Sequence, residues 1–192
     1  CVLDVEGSIV DRRAGRLDTE TCIILCSKLN EIQLDGAEFH VYPVMDYRFV
    51  LVLKGRNISP NISETDPQTE GVIPLVSQPF SSEAQITADF IKEFVSKATE
   101  LLGSSNSAAN GVLLRGFSSL PTLPDFGNQY ALNPAAIAAY PMYRGLAGMI
   151  GMDILDSGQT FESEIETLEA NFNEGYDFFF LHYKPADSAG ED

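Results

Sequence analysis

The hydrophobic pattern of this 192-residue chain changes character at Gly103-Ser104-Ser105-Asn106-Ser107, a flexible run of small residues, and that change limits the folds open to it. Before the run, Ser82-Glu83-Ala84-Gln85 has the form of a capping box and announces a long helix. Ile86, Phe90, Ile91, Phe94, Val95, Ala98, Leu101 and Leu102 lay a broad apolar stripe along it. After the run, short apolar stretches alternate with helical ones. Gly111-Val112-Leu113-Leu114 opens the series, Ala135 to Tyr140 reads as a buried strand and Met142 to Met152 as a helix. Asp153-Ile154-Leu155 reads as a strand, Phe161 to Phe172 as a helix and Tyr176 to Tyr183 as a last strand. Such alternation predicts a parallel sheet. The fold class is therefore α/β, with a small two-layer domain over residues 1–110 and the sheet-building part over 111–192.

Within the first domain, residues 1 to 5 read as a strand, and a helix opens at Asp18 or Thr19, either of which can cap it. Ile23, Cys26, Leu29 and Ile32 recur at helical spacing and predict its buried face. Phe39 to Tyr42 and Tyr47 to Leu53 are close enough to form a hairpin. From Gly55 to Phe80 periodicity disappears and four prolines intervene, so this stretch is a long loop, suited to be a lid or a subunit contact. The chain starts at Cys1 inside an apolar strand with no initiator Met, the expected look of a piece of a longer polypeptide.

Charge narrows the function. The net charge is −16, with 28 acids against 12 bases, so nucleic acid and anionic membrane surfaces are repelled and neither is expected as a partner. No apolar run is long enough to span a bilayer and no signal peptide is evident, which predicts a cytoplasmic protein. Against this background Asp11-Arg12-Arg13-Ala14-Gly15-Arg16 places three of the seven arginines within five residues. Arginine presents a planar fork of donors that fits carboxylate or phosphate, so the cluster marks either an anion pocket or a solvated turn paired with surface acids. Cys22 and Cys26 fall in the apolar helix and read as small core residues; His40, in a strand, reads as structural. Gly145, Gly148 and Gly151 do not match the dinucleotide fingerprint and read as close-packing positions.

Open parallel sheets bind ligands beyond the carboxyl ends of their strands, which would bring Arg115-Gly116, Tyr140-Pro141 and His182 to Asp187 to one edge. There Asp187, with Glu191 four residues on, could hold a hard divalent metal, or Asp187 could be a cap or turn residue.

Five stretches in order carry a resemblance: Val10 to Arg16, Ser63-Glu64-Thr65-Asp66-Pro67, Leu113-Leu114-Arg115-Gly116, Ala136 to Ala147, and Lys184 to Asp192. Together they resemble the archaeal-type 2,3-bisphosphoglycerate-independent phosphoglycerate mutases of the alkaline phosphatase superfamily, over the middle of a family member. The resemblance implies an inserted substrate-binding α/β domain followed by part of an alkaline-phosphatase-like parallel sheet with flanking helices. It implies a metal-dependent isomerase of glycolysis and gluconeogenesis, which moves a phosphoryl group between the 3- and 2-hydroxyls of glycerate through a phosphoserine. The ligand is then a small phosphorylated acid, phosphoglycerate, and the cofactors are two divalent metal ions, manganese or magnesium.

By the same resemblance Asp11, Arg12, Arg13 and Arg16 match the substrate-binding motif of the insert, Arg144 is a further substrate-binding position, and Asp187 matches a metal-site aspartate, with Glu191 a second metal candidate. The nucleophilic serine and the later Asp-His metal pair lie outside this stretch, so no catalytic residue is assigned in it, and alone it is expected to hold no metal and to be inactive. Two other readings stay open: a non-catalytic domain that binds a phosphorylated metabolite, and a phosphatase or other phosphomutase of the superfamily.

Overall fold

The computed structural model describes residues 1–104 and 108–186. The chain forms two compact units, Cys1–Leu120 and Pro121–Asp192. This division lies ten residues beyond the expected one, because Gly111 to Leu114 is not the first strand of the second sheet. It is extended coil whose Val112 and Leu114 are buried in the core of the first unit.

In the first unit, β1 (Val2–Leu3) pairs antiparallel with β2 (Ile9–Asp11). Asn110 lies alongside β1, accepting from Leu3 N–H at 2.6 Å and donating to Leu3 O at 2.8 Å, as a neighbouring strand would. Helix α1 (Thr19–Leu29) starts at Asp18, whose carboxylate accepts from Thr21 N–H at 2.7 Å. Its buried face is Cys22, Leu25, Cys26 and Leu29, rotated from the expected one, so that Ile23 is exposed. Strands β3 (Glu38–Pro43) and β4 (Phe49–Lys54) form the expected hairpin, with Val41 opposite Leu51. Asn30, at the end of α1, clasps the Val41 backbone, accepting from its N–H at 2.8 Å and donating to its carbonyl at 2.9 Å.

Helix α2 (Gln85–Ser104) fills the space under the hairpin. Ala88, Ile91, Phe94, Ala98 and Leu102 run down its buried face at steps of three and four, and Phe39 meets Phe90 and Phe94 edge-to-face at centroid distances of 5.9 and 5.4 Å. The expected capping box does not form. A short 3-10 turn, Ser82–Ala84, precedes the helix, and the Gln85 side chain donates to Asp89 instead. Ile86, in the first turn of α2, is exposed. Of the expected connection, residues 105–107 lie outside the described part.

In the second unit, three parallel strands stand in the order β6 (Asp153–Leu155), β5 (Pro134–Ala138), β7 (Phe178–His182). Central β5 is Pro-Ala-Ala-Ile-Ala and buried throughout. Its small side chains let α4 (Pro141–Met149) and α5 (Phe161–Asn171) pack closely onto it. In this unit the sequence pattern missed the five-residue helix α3 (Phe126–Tyr130), as in the first it missed β2. Helix α3 explains Gly151: φ there is +81°, and an added Cβ would lie 1.9 Å from the Asp125 carboxylate that caps α3. Of the three glycines expected at close contacts, Gly151 alone sits at one that excludes a side chain. Gly148 has room for a methyl at 3.8 Å from Ile154, and Gly145 faces open space.

Candidate functional site

The arginine cluster begins as β2 ends. Asp11 turns the chain there: its carboxylate accepts from Arg13 N–H and Gly15 N–H, both at 2.6 Å. Those two backbone bonds hold its carboxyl below the usual range. Ala14, Gly15 and Arg16 then follow one another with φ of 50°, 65° and 53°, a left-handed 3-10 turn. Left-handed backbone is unfavourable for L-residues with a Cβ, so Asp11 offsets strain that Ala14 and Arg16 carry. Ala14 is buried beneath the turn while Arg13 and Arg16 are exposed, and among the described residues neither forms an ion pair.

Arg12 is held differently. Its Nε donates to Asp66 Oδ1 at 3.0 Å and its Nη2 to Asp66 Oδ2 at 2.6 Å, a two-bond fork-to-carboxylate pair. Asp66 is 7% exposed, and its Oδ1 also accepts from Gln68 N–H at 2.9 Å. Burial opposes ionisation of Asp66, but the Arg12 fork, the Gln68 amide and the charges of Arg12 and Arg115 outweigh it and hold the carboxyl below its ordinary value. The bond to Asp66 in turn raises the already high pKa of Arg12.

The long loop from Gly55 to Phe80 is what carries Asp66 to this place. It is laid against β2, with Ile9 N–H donating to Val72 O at 2.9 Å and Gly71 N–H to Ile9 O at 2.8 Å. On its other side Thr65 is fully buried and pairs with Leu114: Thr65 N–H donates to Leu114 O and Leu114 N–H to Thr65 Oγ1, each at 2.8 Å. Gly116 N–H donates to Glu64 at 3.0 Å, so the exposed Arg115 lies between two residues tied to the loop. Three segments distant in sequence, 11–16, 64–70 and 114–116, thus meet in the first unit. From the sequence, Arg115 is expected at the ligand edge of the sheet and Asp66 stands out only within the acidic run Glu64-Thr65-Asp66-Pro67; nothing in the string brings the two segments together.

Arg144 belongs to the second unit. Its Nη2 donates to Asp156 at 2.6 Å and its Nη1 to the Ala138 carbonyl at 3.4 Å, just past β6 and at the end of β5. Tyr140 and His182 are at this same carboxyl edge, as expected; Arg115-Gly116 follows no strand of this sheet and belongs to the other unit. The edge holds two groups that sequence periodicity does not distinguish. Glu164 is fully buried, with one oxygen accepting from Ala139 N–H at 3.1 Å and the other unpartnered. His182 stacks on Tyr143 at 3.4 Å with its Nδ1 buried and unpartnered.

Asp187 and Glu191, the expected metal ligands, lie outside the described residues. Among the described residues no group of three or more His, Cys, Asp or Glu side chains could hold a metal ion. Cys22 and Cys26 are core residues with sulfurs 3.9 Å apart, and burial pushes the Cys26 thiol up to about 12, which makes it a poor ligand and a poor nucleophile. His40 is exposed on β3, its ring 4.1 Å from that of Tyr42. No helix among the described residues is long and apolar enough to cross a membrane.

The family model described as 2,3-bisphosphoglycerate-independent phosphoglycerate mutase matches residues 1–107, the unit that carries the arginine turn. Curated relatives extend the match across the chain. A probable 2,3-bisphosphoglycerate-independent phosphoglycerate mutase of Aquifex aeolicus is 40% identical over 191 residues, covering 96% of this chain and 46% of the relative. Its counterpart in Thermosipho melanesiensis is 41% identical, with 98% and 47% covered, and that of Thermus thermophilus is 38% identical, with 99% and 48% covered. The chain therefore spans about half the length of the curated relatives it matches. Among solved structures, a cofactor-independent phosphoglycerate mutase from Thermoplasma acidophilum shares the fold at a TM-score of 0.65 and 24% identity, over 94% of this chain and 51% of that one. On the family match and these relatives, the chain belongs to the 2,3-bisphosphoglycerate-independent phosphoglycerate mutase family.

Proposed function

We propose that the intact protein interconverts 3-phosphoglycerate and 2-phosphoglycerate, and that the arginine turn of this chain binds the phosphorylated acid. The observation that carries this reading is the pair of exposed, unpaired guanidinium groups of Arg13 and Arg16 on a strained turn, in a chain of net charge −16. Among the described residues Arg12, Arg48 and Arg144 pair with carboxylates, and Arg13 and Arg16 do not. The backbone holds the latter two apart from such a partner, while the Asp11 carboxylate, which could compete, is occupied by two amide donors. A phosphate accepts forked N–H donors two at a time, so Arg13 and Arg16 can bind it with charge and direction together.

Arg144 is proposed as a second substrate contact on the sheet unit, reached by exchanging its exposed Asp156 partner for the anion. The phosphoserine route and the need for divalent metal are part of the same proposal; both rest on residues outside those described, and this stretch alone is expected not to turn over.

The test uses the intact protein. Arg13→Ala or Arg16→Ala should each raise KM for 3-phosphoglycerate about 10- to 150-fold, the equivalent of one charged hydrogen-bond contact of about 1.5–3 kcal/mol. A chelator should abolish turnover and added manganese restore it. Unchanged KM in both variants would refute the anion-binding role of the turn, and turnover that survives chelation would refute the metal dependence.

A further inference from the structure

Arg12 opens the arginine cluster, yet its guanidinium is already engaged by Asp66. A latch between two loops would account for such a pair if the loops needed it. They do not depend on it: β2 and the long loop are joined by Ile9 to Val72, by Gly71 to Ile9 and by Arg12 N–H to Glu70 at 3.2 Å, and the loop is anchored on its far side by Thr65 and Leu114. Burying a carboxylate to 7% exposure for one more tie is costly. The geometry of the pair points to another use. A guanidinium has five N–H donors, and Asp66 takes one from Nε and one from Nη2, leaving both at Nη1 and one at Nη2 on the opposite edge.

We propose, resting on the substrate-binding reading above, that Asp66 is a positioning residue: its carboxylate fixes the plane of Arg12 so that the free Nη edge is already oriented for the phosphorylated acid held by Arg13 and Arg16. Without Asp66 the long Arg12 side chain would have to be immobilised at the moment of binding, and it would compete for other carboxylates such as Glu70. The fixed pair is neutral as a unit, so the attraction for the anion comes from Arg13, Arg16 and Arg115, and Arg12 adds direction.

The experiment is steady-state kinetics of the intact protein, loaded with its divalent metal, on 3-phosphoglycerate. Asp66→Asn should raise KM about three- to tenfold, the cost of ordering one long side chain, with kcat changed less than about twofold. Asp66→Glu, which keeps the charge but displaces the carboxylate by a methylene, should raise KM by less. In an Arg12→Ala background, Asp66→Asn should have no further effect on KM, because its only route to substrate is through Arg12. A KM that is unchanged in Asp66→Asn, or that rises equally with and without Arg12, overturns the proposal. Should Asp66→Asn fail to fold, Asp66→Glu decides, and an unchanged KM there overturns it too. If Arg13→Ala and Arg16→Ala raise KM while the Asp66 variants do not, only the positioning role fails. If none of the arginine variants moves KM, the substrate-binding reading itself fails.

Discussion

Replacing Thr65 by Val tests whether the long loop is held where it is by one buried polar contact. Thr65 is 2% exposed and Leu114 is 6% exposed, and the Thr65 hydroxyl is the acceptor for the Leu114 amide at 2.8 Å. Valine keeps the shape of threonine, so no cavity opens, but the Leu114 N–H is left buried without an acceptor. An unsatisfied buried donor costs about 1–3 kcal/mol. Converted at about 1.4 kcal/mol per tenfold, that is a rise of about 5- to 150-fold in local opening. The assay is amide hydrogen exchange on the intact protein, read at Leu114 and along residues 64–76. Thr65→Ser, which keeps the hydroxyl and removes only a buried methyl, should raise exchange less, by about the 0.8 kcal/mol of one methylene-sized group. If Leu114 exchanges at the same rate in wild type and Thr65→Val, the hydroxyl is not its acceptor in solution, and the anchoring of Asp66 by this contact is refuted.

Two further outcomes are expected. Because the Asp66 carboxyl titrates below its unfolded value of about 3.9, the stability it contributes is fully present above that pH and is lost as pH falls through the folded value. The stability gap between wild type and Asp66→Asn in urea titrations should therefore be constant from pH 7 to about 5 and close toward pH 3; a gap independent of pH would refute the ionised pairing. Gly151→Ala should destabilise the second unit by about 2 kcal/mol or more, from the positive φ and the displaced Asp125 cap together, whereas Gly145→Ala in α4 should stabilise by about 0.5–1 kcal/mol. Equal urea midpoints for the two variants would refute the different roles given to these glycines.

Much of the fold was legible from local pattern. The start of α1 at Asp18, the β3–β4 hairpin, the stripe of α2 and the order of strands and helices after Pro134 all depend on residues within a few positions of one another. Errors appeared where two local solutions were nearly equal. Ser82 to Gln85 reads as a capping box yet forms a 3-10 turn, and Val112 to Leu114 is apolar enough for a strand yet packs as coil, because Thr65 supplies its hydrogen bonds.

For the site, the sequence alone determined that three arginines would be crowded into one turn of an acidic chain, since spacing and composition are properties of the string itself. Only the tertiary structure decided what each arginine does. Arg12 and Asp66 are 54 positions apart and Thr65 and Leu114 are 49 apart, and no periodicity encodes such pairs. Glu164 looks in sequence like its neighbours Glu162 and Glu166, and becomes buried only because α5 lies against β5. A side chain's partner is set by the path the backbone takes between the two, and that path is settled by burial of the whole core.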